Sequence, residues 1–169
     1  MTGDAPTLAA VALGSNMGDR AGAIRAAFVR LGGLAGTRVL RASALFETLP
    51  VGPGEQGLYL NAAAVLATTL PPDELLGGLL ETERELGRDR SSGERWGPRV
   101  IDLDLLLYGE QTLSGPGLTL PHPRMCERAF VLVPLAEVAG DWPVPGVGLT
   151  VGELAARADA RGVVRLGRA

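Results

Sequence analysis

The stretch ERWGPRVIDLDLLLYG, Glu94 to Gly109, decides how the rest of the chain is read. Its first half is a loop of Gly, Pro, Trp and two arginines. Its second half, Ile101 to Tyr108, is an apolar strand interrupted only by Asp102 and Asp104. Residues two apart on a strand share a face, with about 7 Å between their Cα atoms. Two carboxylates held so close repel, and half-burial adds a desolvation cost unless something neutralises them. A divalent cation does so, and hard oxygen donors suit Mg²⁺ bound together with substrate phosphates. Arg95 and Arg99 would meet those phosphates from the loop side. By its pattern alone an Asp-x-Asp strand reads first as an edge strand with one wet face. The arginine loop joined directly to it favours a metal-dependent phosphate site.

Composition narrows the classes. At 169 residues, 46% hydrophobic and 21% charged, the chain suits one folded domain with a sizeable core, taken as residues 1–169. A net charge of −3 argues against a general nucleic-acid binder. The single cysteine, Cys126, excludes an internal disulfide framework and fits a reducing compartment. No signal-peptide pattern opens the chain, and no apolar run approaches the ~20 residues of a membrane span, so a cytoplasmic protein without membrane contact is expected. All sixteen basic residues are arginines. That closes the Walker A route to ATP, which needs a lysine, and lysine Schiff-base chemistry. Phosphate recognition must come from Arg, backbone N–H groups and metal.

In chain order, Leu8–Leu13 predicts a buried strand ending in a Gly14-Ser15-Asn16 turn. Asp19 caps a helix to about Leu31, whose apolar face is Ile24, Ala27, Phe28 and Leu31, and Gly32-Gly33 stops it. Thr37–Thr48 reads as a strand, Leu49–Gly57 as a Pro/Gly loop, and Tyr59–Leu70 as a strand whose alanines would also suit a helix. Pro72–Leu86 is a helix with Leu75, Leu76, Leu79 and Leu80 inward and glutamates on the other face. Gly87–Arg99 is a long loop, of the kind that is usually functional or disordered. An irregular segment to Pro123 holds the only histidine, His122. A helix from Glu127 to Val138, a turn, a short helix Val151–Ala158 and a strand near Val163–Leu166 complete the chain. Strand, helix, strand, strand, helix, strand from Leu8 to Tyr108 is the ferredoxin-like order: an α+β fold, an antiparallel sheet with helices packed on one face, plus a C-terminal extension.

Five pieces carry a resemblance: ALGSN at Ala12–Asn16, FETLPVG at Phe46–Gly52, YLNAA at Tyr59–Ala63, ERWGPRVIDLDLLLYG, and LPHPRMCERAFVLVPLAEVA ending at Ala139. In this order and together they resemble the 6-hydroxymethyl-7,8-dihydropterin pyrophosphokinase family, whose members transfer pyrophosphate from ATP to a pterin alcohol in folate biosynthesis. ERWGPR followed by IDLD is highly specific to that family; GSN alone is not. The resemblance implies a ferredoxin-like monomer that uses two Mg²⁺ ions and takes ATP and 6-hydroxymethyl-7,8-dihydropterin as its partners. It makes Asp102 and Asp104 the metal-bridging carboxylates and, with Arg88 and Arg99, the catalytic set. It places Glu83, Arg88, Trp96, Arg99, Leu105, Thr119, His122 and Arg128 around ATP. It places Thr48, Val51, Tyr59, Asn61, Trp96, Asp102 and Phe130 around the pterin. The chemistry agrees: a flat bicycle suits two aromatic faces, and its amide-like edge suits an Asn. The chain departs from some relatives at Leu49, Leu80 and Pro123. Arg90, Arg95 and Cys126 take no assigned role.

Two other classes fit parts of the pattern. A nucleotidyltransferase also pairs Gly-Ser with an Asp-x-Asp strand, but there the two lie close together, whereas here two predicted helices separate Ser15 from Asp102. A non-catalytic ferredoxin-like binding module would need neither paired carboxylates nor an arginine loop.

Overall fold

A computed structural model describes residues 5–88 and 99–169. Its principal element is a six-stranded antiparallel sheet. The strands are β1 (Thr7–Ser15), β2 (Thr37–Ala42), β3 (Ala44–Thr48), β4 (Tyr59–Thr68), β5 (Asp102–Tyr108) and, after a small hairpin of β6 (Leu113–Ser114) and β7 (Thr119–Leu120), β8 (Val164–Arg168). The order β5-β1-β4-β3-β8, with β2 also on β4, contains the ferredoxin-like arrangement predicted above. The helices are α1 (Arg20–Gly32), α2 (Pro72–Glu85), α3 (Ala129–Ala139) and α4 (Val151–Arg157), with a 3₁₀ turn at Met125–Glu127. Among the described residues no helix is long and apolar enough to cross a membrane.

The alanines of β4 are explained by position. β4 lies between β1 and β2/β3, and all but its first residue are buried. Alternate side chains enter two separate cores: Ala62, Ala64 and Leu66 in one, Ala63 and Val65 in the other. Small residues on a central strand let helices approach both faces. Pairing across the sheet overrides the helix preference of alanine.

Several expectations are corrected here. β1 does not turn at Gly14 but runs on through Ser15, because Gly14 and Ser15 pair with Asn61 and Leu60 of β4. The predicted Thr37–Thr48 strand is two strands interrupted at Ser43, whose hydroxyl accepts from Ala63 N at 2.8 Å. Helices cover both faces rather than one. α1 and α2 pack on the Leu13–Leu66–Leu103 side, while α3 and α4 pack on the Ala10–Val65–Leu106 side. The C-terminal third therefore closes a second core and adds β8 beside β3. On α2, Leu75 and Leu79 are fully buried, but Leu80 is exposed and Glu83 is buried, so one glutamate faces inward. A register shift between β1 and β5 leaves Leu106 unpaired, and Leu106 and Leu107 both reach the second core. That shift is why the apolar run after Asp104 breaks strict alternation. Asp19 caps α1 as predicted, its carboxylate accepting from Gly22 N at 2.9 Å.

Candidate active site

The site lies where the second face of the sheet continues beyond α3. Asp102 pairs across the ladder with Gly14, and Asp104 with Ala12. Both carboxylates line one cleft with Thr48, Val51, Tyr59 and Asn61 from β3, its following loop and β4, and with Arg99, Arg128 and Phe130. The shared face predicted for the two acids is thus present. Gly14 leaves the room: a Cβ there would come within 3.2 Å of Asn61 Oδ1. Asn61 Nδ2 donates to Thr48 Oγ1 at 2.6 Å, which fixes its amide. Burial raises the Tyr59 hydroxyl above its usual titration range.

The two acids have different surroundings. Asp102 is held by arginines: Arg88 Nη1 donates to Oδ1 at 2.5 Å and Arg99 Nη1 to Oδ2 at 3.0 Å. The Arg88 nitrogen also donates to Glu83 Oε1 at 2.6 Å, and that oxygen accepts from Leu103 N at 2.7 Å. Arg99 is placed through its backbone. Its N–H donates to Asn16 Oδ1 at 2.7 Å, and its carbonyl accepts from Asn16 N at 3.0 Å. Asn16 Nδ2 donates in turn to Gln56 Oε1 at 3.3 Å, so one side chain ties two loops to the end of β1.

Asp104 has only His122 within ion-pair range, Nε2 to Oδ1 at 4.0 Å, among the contacts described. Burial, and then the charge of Asp102, push its carboxyl up to about 6, with Arg128 opposing. Burial, and then Arg128, lower the imidazole of His122. Nδ1 of that ring accepts from Arg124 N at 3.2 Å, so the neutral ring carries its proton on Nε2, toward Asp104.

A second cleft opens on the other side of Asp104. Leu76, Leu80, Leu103, Leu105 and Leu118 give it an apolar wall, and Thr119, His122 and Asp104 supply polar groups. The described residues expected around a pterin line the first cleft, and of those expected around a nucleotide Leu105, Thr119 and His122 line the second; the two clefts meet at Asp104. Four expected nucleotide-side residues sort otherwise: Arg99 and Arg128 line the first cleft, the Arg128 guanidinium carbon 5.6 Å from the centre of the Phe130 ring, and Glu83 and Arg88 line neither cleft. Trp96, Arg90, Arg95 and most of the Gly87–Arg99 loop lie outside the described residues. Sequence reasoning missed Asn16 and Gln56 as positioning groups. The GSN after an apolar strand was the available hint, but its reading as a turn hid it.

The donor set suits a hard divalent cation. Asp102 and Asp104 offer only carboxylate oxygens, and burial, with the charge of Asp102 second, makes the ionised form of Asp104 costly, a cost that a bound cation would relieve. Among the described residues no group of three or more His, Cys, Asp and Glu forms a closed cage. A two-carboxylate site completed by phosphate oxygens and water is the arrangement Mg²⁺ favours.

Fold and cleft together define a ferredoxin-like α+β protein with an acid–arginine site at one end of its sheet. The profile of the 7,8-dihydro-6-hydroxymethylpterin-pyrophosphokinase (HPPK) family matches residues 10–140, and the chain belongs to that family. It is similar to 2-amino-4-hydroxy-6-hydroxymethyldihydropteridine pyrophosphokinases of Methylorubrum extorquens (45% identity, 95% of this chain and 99% of that protein) and Pseudomonas aeruginosa (44%, 92% and 94%). Among solved structures, Plasmodium falciparum HPPK-DHPS wild type with pterin and p-hydroxybenzoate superposes with a TM-score of 0.70 at 14% identity, over 93% of this chain and 44% of that one. An HPPK-DHPS in complex with substrates gives 0.72 at 10% identity, over 91% and 43%. The chain thus spans less than half the length of these solved chains, and at such identity the likeness concerns the fold alone.

Proposed function

We propose that this chain transfers pyrophosphate from ATP to the hydroxymethyl group of 6-hydroxymethyl-7,8-dihydropterin, releasing AMP, as the names of its relatives indicate. The observation that carries the reading is the meeting of two clefts at Asp104, one with aromatic and amide groups and one with an apolar wall and His122. A flat heterobicycle fits between Tyr59 and Phe130, with Asn61 and Thr48 at its polar edge and Val51 at the mouth. The nucleotide takes the second cleft, against Leu105, Thr119 and His122. The hydroxymethyl oxygen attacks the β-phosphorus, the bond from that phosphorus to the α,β-bridging oxygen breaks, and AMP leaves.

Asp102 and Asp104 would hold Mg²⁺, two ions in our reading, which when bound neutralises phosphate charge and acidifies the attacking hydroxyl. The remaining work belongs to the chain. Arg88 and Arg99 already sit at the Asp102 carboxylate, from which they would stabilise charge on the transferred group. Arg128 adds positive charge in the first cleft, close enough to act on Asp104 and His122. His122, kept neutral by burial, can donate from Nε2 to a phosphate oxygen without adding a charge. The proposal includes residues 1–169 as one pyrophosphokinase domain that acts as a monomer in the cytoplasm.

The test is a product assay with ATP, Mg²⁺ and the pterin alcohol. AMP and pterin diphosphate in equal amounts are expected. Release of pyrophosphate instead would assign nucleotidyl transfer. Tight Mg²⁺-independent binding with no turnover would assign a binding module.

A further inference from the structure

Glu83 is the most buried ionisable side chain among the described residues, at 1% exposure, and it lines neither cleft. A carboxylate so placed carries a large desolvation cost unless donors satisfy it. Here Oε1 accepts from two: the backbone N–H of Leu103 at 2.7 Å and Arg88 Nη1 at 2.6 Å. Each donor has a consequence. β5 is the edge of the sheet, and Leu103 is the residue between Asp102 and Asp104. Its N–H points off the ladder, so the Glu83 carboxylate stands where a further strand would be. It thereby pins the peptide that sets the geometry of the two acids. Arg88, in turn, is shared between Glu83 and Asp102.

We propose, resting on the function proposed above, that Glu83 is a positioning residue that touches no substrate. It holds Arg88 beside the phosphates and locks the backbone between the two metal-binding carboxylates. A cation on Asp102 competes with Arg88 for the same oxygen. When that contact is lost, the bond to Glu83 remains, and Arg88 stays at the site with its charge available to the transferred group. Asp102 alone would release Arg88 when the site fills. Glu83 also gives α2 a catalytic consequence, since it is the one glutamate of that helix that faces inward.

The test compares Glu83→Gln and Glu83→Ala with the wild type, alone and combined with Arg88→Ala. In Glu83→Gln we expect kcat to fall about 10- to 100-fold, the range for groups that orient others, while KM for ATP stays within about twofold. In the Arg88→Ala background the same substitution should have little further effect on kcat, because the glutamine oxygen still accepts from Leu103 N–H and the other route, through Arg88, is already gone. Independently of activity, the Leu103 amide in the substrate-free Ala variant should exchange its hydrogen about tenfold faster or more than in the wild type, while β4 amides change little. A raised KM for ATP with kcat preserved would mean that Glu83 contacts nucleotide and overturns the proposal. So would full additivity with Arg88→Ala, or unchanged Leu103 exchange. If removing the charge prevents folding, Glu83→Asp keeps the charge and shortens its reach, and the same three readings apply. Wild-type AMP release in the same assay tests the proposed function alone; its absence leaves the exchange result to stand or fall separately.

Discussion

The two faces of the sheet are built from the same strands and put to different uses. On one face α1 and α2 fill the space from Ile24 and Leu31 to Leu75 and Leu79, all fully buried. On the other, α3 and α4 cover Ala10, Ala63, Val65 and Leu106, then stop short of the strand ends. There the inward-facing residues are no longer apolar: Asn61, Asp102 and Asp104 line a cleft. A sheet face left without a helix has to present groups that water or a ligand can satisfy, and this one presents charge. Both faces carry a packed core, and the candidate site occupies the uncovered end of the second.

Substitutions on each face can break that division. The largest effect is expected at Asp104→Asn, which keeps shape and removes charge. Turnover should fall about a thousandfold or more, the equivalent of several kcal/mol of barrier, with the circular dichroism spectrum unchanged. Near-normal turnover would remove the metal argument. Arg99→Ala should lower kcat about 100-fold while altering pterin affinity much less, read by steady-state kinetics beside calorimetric titration. Equal effects would make Arg99 a ground-state anchor. Leu79→Ala on the closed face should cost about 3 kcal/mol in urea unfolding and leave kcat at 25 °C unchanged. A matching loss of kcat would mean that the two faces are coupled.

The smallest effect sharpens the contrast. The Asp104 carboxyl is raised from 3.8 to about 6 in the folded chain, so between those values the native state binds more protons than the unfolded one. Stability therefore falls as pH rises through this window, and the penalty is fully present above about pH 6. Asp104→Asn removes it. With the side chain one-third exposed (34%), solvent screening reduces the gain to about 1 kcal/mol at pH 7, and it should vanish below about pH 4. Urea unfolding of both proteins at pH 4 and pH 7 measures this, and an equal difference at the two pH values would contradict the assigned shift.

Much of the fold was legible locally. Asp19 and the Ile24–Leu31 spacing announced α1, Pro72 and the leucines announced α2, and the order of elements announced the ferredoxin-like core. The site acids were legible because two carboxylates in an apolar strand violate strand chemistry. Two kinds of feature were not legible. The continuation of β1 through Gly14 and Ser15 depends on a ladder with residues 60 and 61, which turn propensity cannot anticipate. The inward turn of Glu83 depends on Arg88 and on an unpaired N–H at a sheet edge formed by residues 20 positions away. An amphipathic count on α2 sees only a polar residue and assigns it to water.

Sequence alone determined most of the helices and strands, the arginine-only basic chemistry and the identity of the acidic pair, because each rests on side-chain type and on neighbours within a few residues. Tertiary structure decided that α3 and α4 close the second face, that two clefts meet at Asp104, and that Asp102 rather than Asp104 is clamped by arginine. Those outcomes follow from contacts between segments distant in the chain, where burial and paired charges, and not local preference, set the free energy.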